Sequence, residues 1–390
     1  MNKKRIKEII RNNFPNIPIL KKIANNILIN RYNINIVEQD KIEAIELNRK
    51  LKEDVVKKGD KVKPKLGNYV VKEYERLYRE FDKLNIEYDD LILDLKFCIY
   101  SYGFTPTEYL VYDLKNKGYN ERIKYISEKD HMVFIYKMND VFDLQLFNDK
   151  MKTYEKFGKY YGREIISISS KKDYNKYIDF LENNPVFVKK QVYESCGNSI
   201  SKVYSKDIDP KEYFSEILKN GKTILEECIE QHETLSNLNS SSVNTVRCIT
   251  FNTKDEVVIG YTFMKIGRKG SFIDNGGAGG LLVGIDKNTG VFNTIAIDEK
   301  MNTYQNHPDN GTEFVGYKLP DWDKLMNLCI KLSQKASGVN CIGWDFTYTS
   351  KSEWVVVEGN GMTQFIGPQS TQGIGIRDEV ISYMNDMELL

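Results

Sequence analysis

Histidine is scarce in this chain of 390 residues. His131, His232 and His307 stand beside no serine or cysteine in a nucleophile motif, and neither GxSxG nor HExxH occurs. Triad hydrolysis and zinc proteolysis therefore have no footing. The six cysteines (Cys98, Cys196, Cys228, Cys248, Cys329, Cys341) form no CxxC and no compact Cys/His cluster. They read as reduced thiols of a cytosolic protein rather than as zinc ligands or a disulfide framework. No GxGxxG follows a strand pattern, which leaves a dinucleotide-binding Rossmann site unsupported. Charge of one sign is also lacking: acids and bases nearly cancel at a formal +1. That balance gives no reason to expect nucleic acid as a partner. No run approaches the roughly twenty apolar residues of a membrane span. The basic N-terminus has no apolar core segment, so no signal peptide is expected and the chain reads as cytoplasmic.

What is present is length enough for two or three subdomains, with ordinary apolar content and abundant tyrosine. Residues 1–95 read as helical. Apolar residues recur at helical spacing over 41–56 and 69–84, and Gly59 and Pro64 read as a break. The region carries no chemistry and is expected to be a scaffold or docking surface. Further on, the patterns predict a helix over 106–115, a strand over 132–137, a helix from Lys150 to about 161 and a strand over 165–168. A strand–turn–strand follows over 186–205, then a helix over 211–220. Strands are expected over 223–229, 243–251, 256–266 and 281–285, and an amphipathic helix over 322–336. A last helix begins near Arg377. Strands joined mainly by turns suggest an α+β fold with mixed or antiparallel sheets.

One stretch organises the rest. Residues 341–349 and 354–360 are rich in β-branched and aromatic residues, and the link between them is short enough for a hairpin. If the loop closes symmetrically about Lys351 and Ser352, Asp345 lies opposite Glu358, with Cβ atoms about 5 Å apart. Alternation puts Asn360 on the same face as Glu358. Two carboxylates and a carboxamide would then converge, an arrangement that a hard divalent cation relieves. The alternative is a solvent-facing hairpin with a lysine across its acidic face.

Four other stretches could carry chemistry. Lys189 precedes a small-residue turn containing Gly197, a geometry that can cradle phosphate; an ordinary hairpin with a solvated lysine is the alternative. Glu226 and Glu227 close a strand whose edge could read an adenine. Arg247 stands among alternating apolar residues, where it invites a bidentate carboxylate or phosphate partner or simply a structural ion pair. Residues 274–280 hold four glycines, which allow close backbone approach to a ligand or a flexible loop.

Taken in order, these pieces resemble the ATP-grasp superfamily, most closely its sugar-transfer-associated branch. The resemblance spans about residues 97–380. It rests on Asn148-Asp149-Lys150, Phe187-Val188-Lys189, the run from Leu225 to His232, Ser242 to Arg247, Asp274 to Gly280, Ile342 to Asp345, and Val357 to Asn360. It implies two α+β subdomains clasping ATP behind a helix-rich region over 1–95. A mobile lid would span about 150–229 and a metal-binding subdomain about 230–390. Lys150 and Lys189 would contact phosphates, under a loop that includes Ser195 and Gly197. Glu226 would face adenine, Glu227 and Ile229 would add backbone contacts, and His232 or Glu233 would meet the ribose. Arg247 would act at the transferred phosphate. Asn244, Arg268, Asn275 and Gly276 would face the substrate. Asp345, Glu358 and Asn360 would hold Mg²⁺. The loop has one glycine where relatives often have several, and Lys190 stands where many have proline, so Lys189 and Lys190 remain alternatives.

The implied activity is an ATP- and Mg²⁺-dependent carboxylate–amine ligase. It would join an amino acid or amine to a small or sugar-linked carboxylate in cell-surface polysaccharide biosynthesis. A kinase acting on a hydroxyl and a non-catalytic nucleotide-binding module are the alternatives. Homodimerisation through the N-terminal helices is a further expectation.

Overall fold

A computed structural model describes residues 18–32, 36–78, 88–191, 200–268, 270–271 and 279–389. The described residues of the N-terminal part are largely helical, with helices over Pro18–Tyr32, Ile42–Glu46, Arg49–Val62, Pro64–Tyr78 and Tyr88–Ser101; residues 1–17, 33–35 and 79–87 of that expectation lie outside the described residues. Gly59 does not break its helix. It lies inside Arg49–Val62 and is buried against the Tyr100 ring, which a Cβ would approach to 2.4 Å. The break comes at Lys63, before Pro64, because proline suits a first helical position and cannot continue the preceding helix. The apolar residues of this part, among them Phe97, Tyr100, Phe104 and Tyr109, form a core of their own.

The strand expected over 132–137 is instead part of a helix, Glu128–Met138. Its apolar run has no period-2 alternation and is mostly buried, so pattern alone could not separate strand from helix. The upstream signal decides. Ser127 Oγ accepts from Asp130 N at 3.2 Å, and Glu128 and Asp130 lie in the first turn, where carboxylates favour a helix start.

Two antiparallel sheets carry the remainder. The strands are β1 (Ile165–Ile168), β2 (Val186–Gln191), β3 (Ser201–Tyr204), β4 (Thr223–Glu227), β5 (Thr245–Asn252), β6 (Val257–Ile266), β7 (Leu281–Gly284), β8 (Ala296–Ile297), β9 (Thr303–Tyr304), β10 (Cys341–Tyr348) and β11 (Trp354–Asn360). The smaller sheet has the order β1-β4-β2-β3, and the larger β11-β10-β5-β6-β7-β8-β9.

Helices Tyr174–Asn183 and Pro210–Lys219 cover one face of the small sheet, where Ile166, Ile168, Phe187 and Leu225 pack on Tyr177, Phe180, Phe214 and Ile217. Its other face places Ile165 and Ile224 in the same core as Trp344, Phe346 and Val356 of the large sheet. Helix Lys150–Phe157 lies beside both, with Phe157 edge-on to Trp344 at 5.2 Å. The fully buried Gln369 ties the C-terminal helices to the N-terminal part, donating to Tyr112 Oη at 2.9 Å and accepting from Ile126 N at 2.7 Å.

Candidate functional site

The site begins at the β10–β11 hairpin. Near its tip, Tyr348 faces Trp354 and Phe346 faces Val356, so the loop is centred on Lys351 alone. This register would pair Asp345 with Val357. A bulge intervenes: Val357 is the extra residue, and Asp345 pairs with Glu358 after all. A one-residue slip reverses the face of every later side chain. The bulge is therefore what turns Glu358 and Asn360 onto the face of Asp345.

On the other side of β10, β5 sets Arg247 opposite Asp345, and β5 in turn pairs with β6. Arg247 Nε and Nη2 donate to the two Asp345 oxygens at 2.6 and 2.8 Å, and Lys265 Nζ donates to Oδ2 at 2.9 Å. Asp345 is 4 % exposed. Burial pushes its carboxyl up, but Arg247 and Lys265 outweigh burial and hold it below the usual range. Gly343 makes room for this arrangement. A Cβ there would lie 2.2 Å from Thr363 Oγ1 and 2.9 Å from Arg247 Nη1.

The small sheet supplies the opposite wall. Glu226 on β4 is buried, and three bonds converge on its Oε2: Lys190 Nζ at 2.9 Å, and Arg163 Nη2 and Nε at 3.0 and 3.2 Å. Burial pushes this carboxyl up; Lys190 and Arg163 prevail and hold it at about 2. Asp149 caps helix Lys150–Phe157 by accepting from Met151 N at 3.0 Å, which puts Lys150 at the helix start. Lys150 Nζ lies 3.6 Å from Glu358 Oε1. Phe147, Lys150, Lys190, Glu226, Val357 and Glu358 line one cleft.

Lys189 lies outside it. Phe187 is fully buried among the covering helices, and strand alternation sends Lys189 to the same side. There its Nζ is 3.8 Å from Glu216 and 5.4 Å from the centre of the Tyr213 ring. Of the two lysines that the sequence left as alternatives, Lys190 is the one in the cleft.

Other expected residues are spread more widely. Glu227 Oε2 accepts from Glu164 N at 2.9 Å, and Glu227 and Ile229 line a neighbouring groove with Arg163 and Thr349. His232 caps helix Glu233–Ser236, its Nδ1 accepting from Thr234 N at 3.2 Å. Asn244 is a structural knot rather than a substrate contact. Its amide donates to Leu235 O, Asn239 O and Gln231 Oε1, its Oδ1 accepts from Gly267 N, and no surface is left. Arg268 lies beyond the end of β6, 3.4 Å from Asp309 and 5.8 Å from the centre of the Tyr304 ring. Ser195, Gly197, Asn275 and Gly276 lie outside the described residues. Sequence reasoning missed Arg163 and Lys265. Lys265 carried the same signal as Arg247, a cation in an apolar strand; Arg163 carried none.

The donor set can be tested against a metal and a polyphosphate. Asp345, Glu358 and Asn360 offer only oxygen, which suits a hard divalent cation. Among the described residues no group of three or more His, Cys, Asp or Glu side chains could hold a metal. The protein ligands would thus be two carboxylates and a carboxamide, leaving positions for phosphate oxygens. Lys150, Lys190, Arg247 and Lys265 surround these ligands, which suits a polyanion.

No curated protein matches the chain. Among solved structures, the chain is similar to the ATP-grasp ligase PsnB complexed with a phosphomimetic variant of its minimal precursor, Mg and ADP. Identity is 10 %, coverage is 65 % of this chain and 67 % of that one, and the TM-score is 0.39. The D-alanine-D-alanine ligase from Coxiella burnetii gives 11 % identity, 64 % and 61 % coverage and a TM-score of 0.39. The VanG D-Ala:D-Ser ligase from Enterococcus faecalis gives 14 %, 63 % and 64 %, and 0.40. Likeness at this level carries no weight for chemistry. The family model is decisive: residues 129–383 match sugar-transfer associated ATP-grasp, and the chain belongs to that family.

Proposed function

We propose that the chain is an ATP- and Mg²⁺-dependent ligase that activates a carboxylate as an acyl phosphate and passes it to an amine. The observation that carries this reading is the convergence of Lys190, Glu226, Arg247, Lys265, Asp345 and Glu358 from two facing sheets with Lys150 from the helix beside them. Residues about 150–229 act as the lid and about 230–390 as the metal-binding body. Lys150 and Lys190 bind phosphate oxygens, and the Glu226 carboxylate accepts from the adenine amino group. Asp345, Glu358 and Asn360 hold Mg²⁺, which offsets charge on the phosphates when bound. Arg247, fixed by Asp345, faces the transferred group and steadies the charge that develops there.

The substrate carboxylate oxygen takes the terminal phosphoryl group and ADP leaves. The amine then displaces phosphate from the acyl carbon. Closure of the lid over the cleft excludes water, which would otherwise hydrolyse the acyl phosphate. The substrates are an amino acid or amine and a sugar-linked carboxylate, and the setting is cytoplasmic synthesis of cell-surface polysaccharide. The family description, sugar-transfer associated, supports the sugar-linked part of that choice.

A screen of carboxylates and amines for ADP release, with mass spectrometry of the product, tests the reading. The expected result is ADP release that needs both substrates and yields an amide. A phosphate ester formed without any amine would replace the ligase with a kinase. Nucleotide binding with no turnover under any acceptor would leave a binding module.

A further inference from the structure

Arg163 precedes β1 and was not marked by any pattern in the sequence. Its side chain is 3 % exposed. A guanidinium has five N–H donors, and all five are used. Nε and Nη2 donate to Glu226 Oε2 at 3.2 and 3.0 Å, Nη1 donates to Val356 O at 2.7 Å and to Tyr161 O at 3.2 Å, and Nη2 donates to Val357 O at 3.2 Å. A side chain so fully engaged has no donor left for an incoming anion. Besides Tyr161, which lies in the turn before β1, its acceptors belong to both sheets. One is the carboxylate of Glu226. Two are the carbonyls of Val356 and of Val357, the extra residue of the β11 bulge.

The approach is built in. Gly162, at φ +61°, lies so close to β11 that a Cβ would come within 2.6 Å of Val355 Cγ1. A β-bulge leaves its extra residue outside the ladder, so the Val357 carbonyl needs a partner from elsewhere. Arg163 is that partner. The same bulge turns Glu358 toward Asp345.

We infer that Arg163 is a positioning residue: by pinning the bulge it aims Glu358 into the site, and through Glu226 it fixes the small sheet against the metal-bearing strand. This deepens the metal–nucleotide reading and rests on it in part, so the test has one arm that needs no nucleotide. That arm is amide hydrogen exchange over residues 355–360 in the full chain, comparing wild type with Arg163→Met and Arg163→Lys. Exchange is expected to quicken about tenfold in Arg163→Met and less in Arg163→Lys, which keeps the charge but not the fork.

The second arm is ADP affinity with Mg²⁺ divided by ADP affinity with EDTA. Arg163→Met should lower that ratio about tenfold, as loss of a ligand's support does. It should add nothing further in a Glu358→Gln background. In folded variants, unchanged exchange, an unchanged ratio, or additive loss with Glu358→Gln would each overturn the inference. Absence of ADP binding in wild type would instead remove the nucleotide reading, and the exchange arm would then decide for Arg163 alone.

Discussion

Arg122 and Arg163 are buried to the same degree, with 3 % of each side chain exposed. Arg122 works inside the N-terminal helical part. It pairs with Glu46 and Asp94 and donates to Leu114 O, while Lys52 holds Asp94 at 2.9 Å. Two cations there face two carboxylates, all on helices of that part. Arg163 has one carboxylate and three carbonyls, drawn from both sheets and, at Tyr161, from the turn before β1. Burial and satisfied donors are common to both, so neither property marks a functional residue. The origin of the acceptors does.

The comparison can be broken by stability measurements. Arg122→Met leaves Glu46 with the Tyr102 hydroxyl and Asp94 with Lys52 and the Tyr109 hydroxyl, and breaking such a buried network should cost about 3–5 kcal/mol in denaturant unfolding. Arg163→Met leaves Glu226 with Lys190 and should cost about 1–3 kcal/mol. Equal losses together with an unchanged Mg²⁺/EDTA ratio of ADP affinities would mean that Arg163 is as purely structural as Arg122.

A second pair lies within the site. Asp345→Asn strands Arg247 and Lys265 beside a neutral group and should cost about 3 kcal/mol. Glu358, with 48 % of its side chain exposed, should tolerate glutamine within about 0.5 kcal/mol. Both substitutions should nonetheless cut ATP turnover by about a hundredfold or more, since each removes a proposed metal ligand. Near-normal turnover in both would remove the metal assignment.

Two buried carboxylates extend the comparison to pH. Glu108, in the helical part, accepts from Thr105 N, Thr105 Oγ and Glu128 N, and burial pushes it up to about 8. The folded protein therefore holds a proton that the unfolded chain releases. The stabilisation is complete below the ordinary carboxylate range and is lost as pH rises through about 8. Glu226 is the reverse, with stabilisation present above that range and lost as pH falls through about 2. Glu108→Gln should flatten the fall in stability between the ordinary carboxylate range and about pH 8, and Glu226→Gln the loss on the acid side between that range and about pH 2. The affected slopes are at most about 1.4 kcal/mol per pH unit. A slope between the ordinary carboxylate range and about pH 8 that Glu108→Gln leaves unaltered would contradict the first assignment.

Much of the site was legible in the sequence because strand alternation is a local rule. It put Asp345, Glu358 and Asn360 together, and it flagged Arg247 as a cation needing a partner. The pairing of Asp345 with Glu358 held for an unforeseen reason. The hairpin is centred on Lys351, and the bulge at Val357 supplies the missing residue. Lys189 and Lys190 could not be separated, because the phase of β2 is set by Phe187 packing against helices distant in sequence. The strand expected over 132–137 failed because helix and strand share short apolar runs, and the Ser127 cap was the signal to read. Arg163 was invisible since its acceptors are mostly backbone carbonyls, which have no sequence signature.

The central claim is that the cleft between the two sheets binds a magnesium nucleotide. Calorimetric titration of Mg·ADP into wild type, Lys189→Ala and Lys190→Ala tests it most directly. Wild type should bind. Lys190→Ala should weaken binding about tenfold or more, as loss of a charged hydrogen bond to phosphate does, and Lys189→Ala should weaken it less than about twofold. No binding by wild type, or the opposite ranking of the two lysines, would contradict the account.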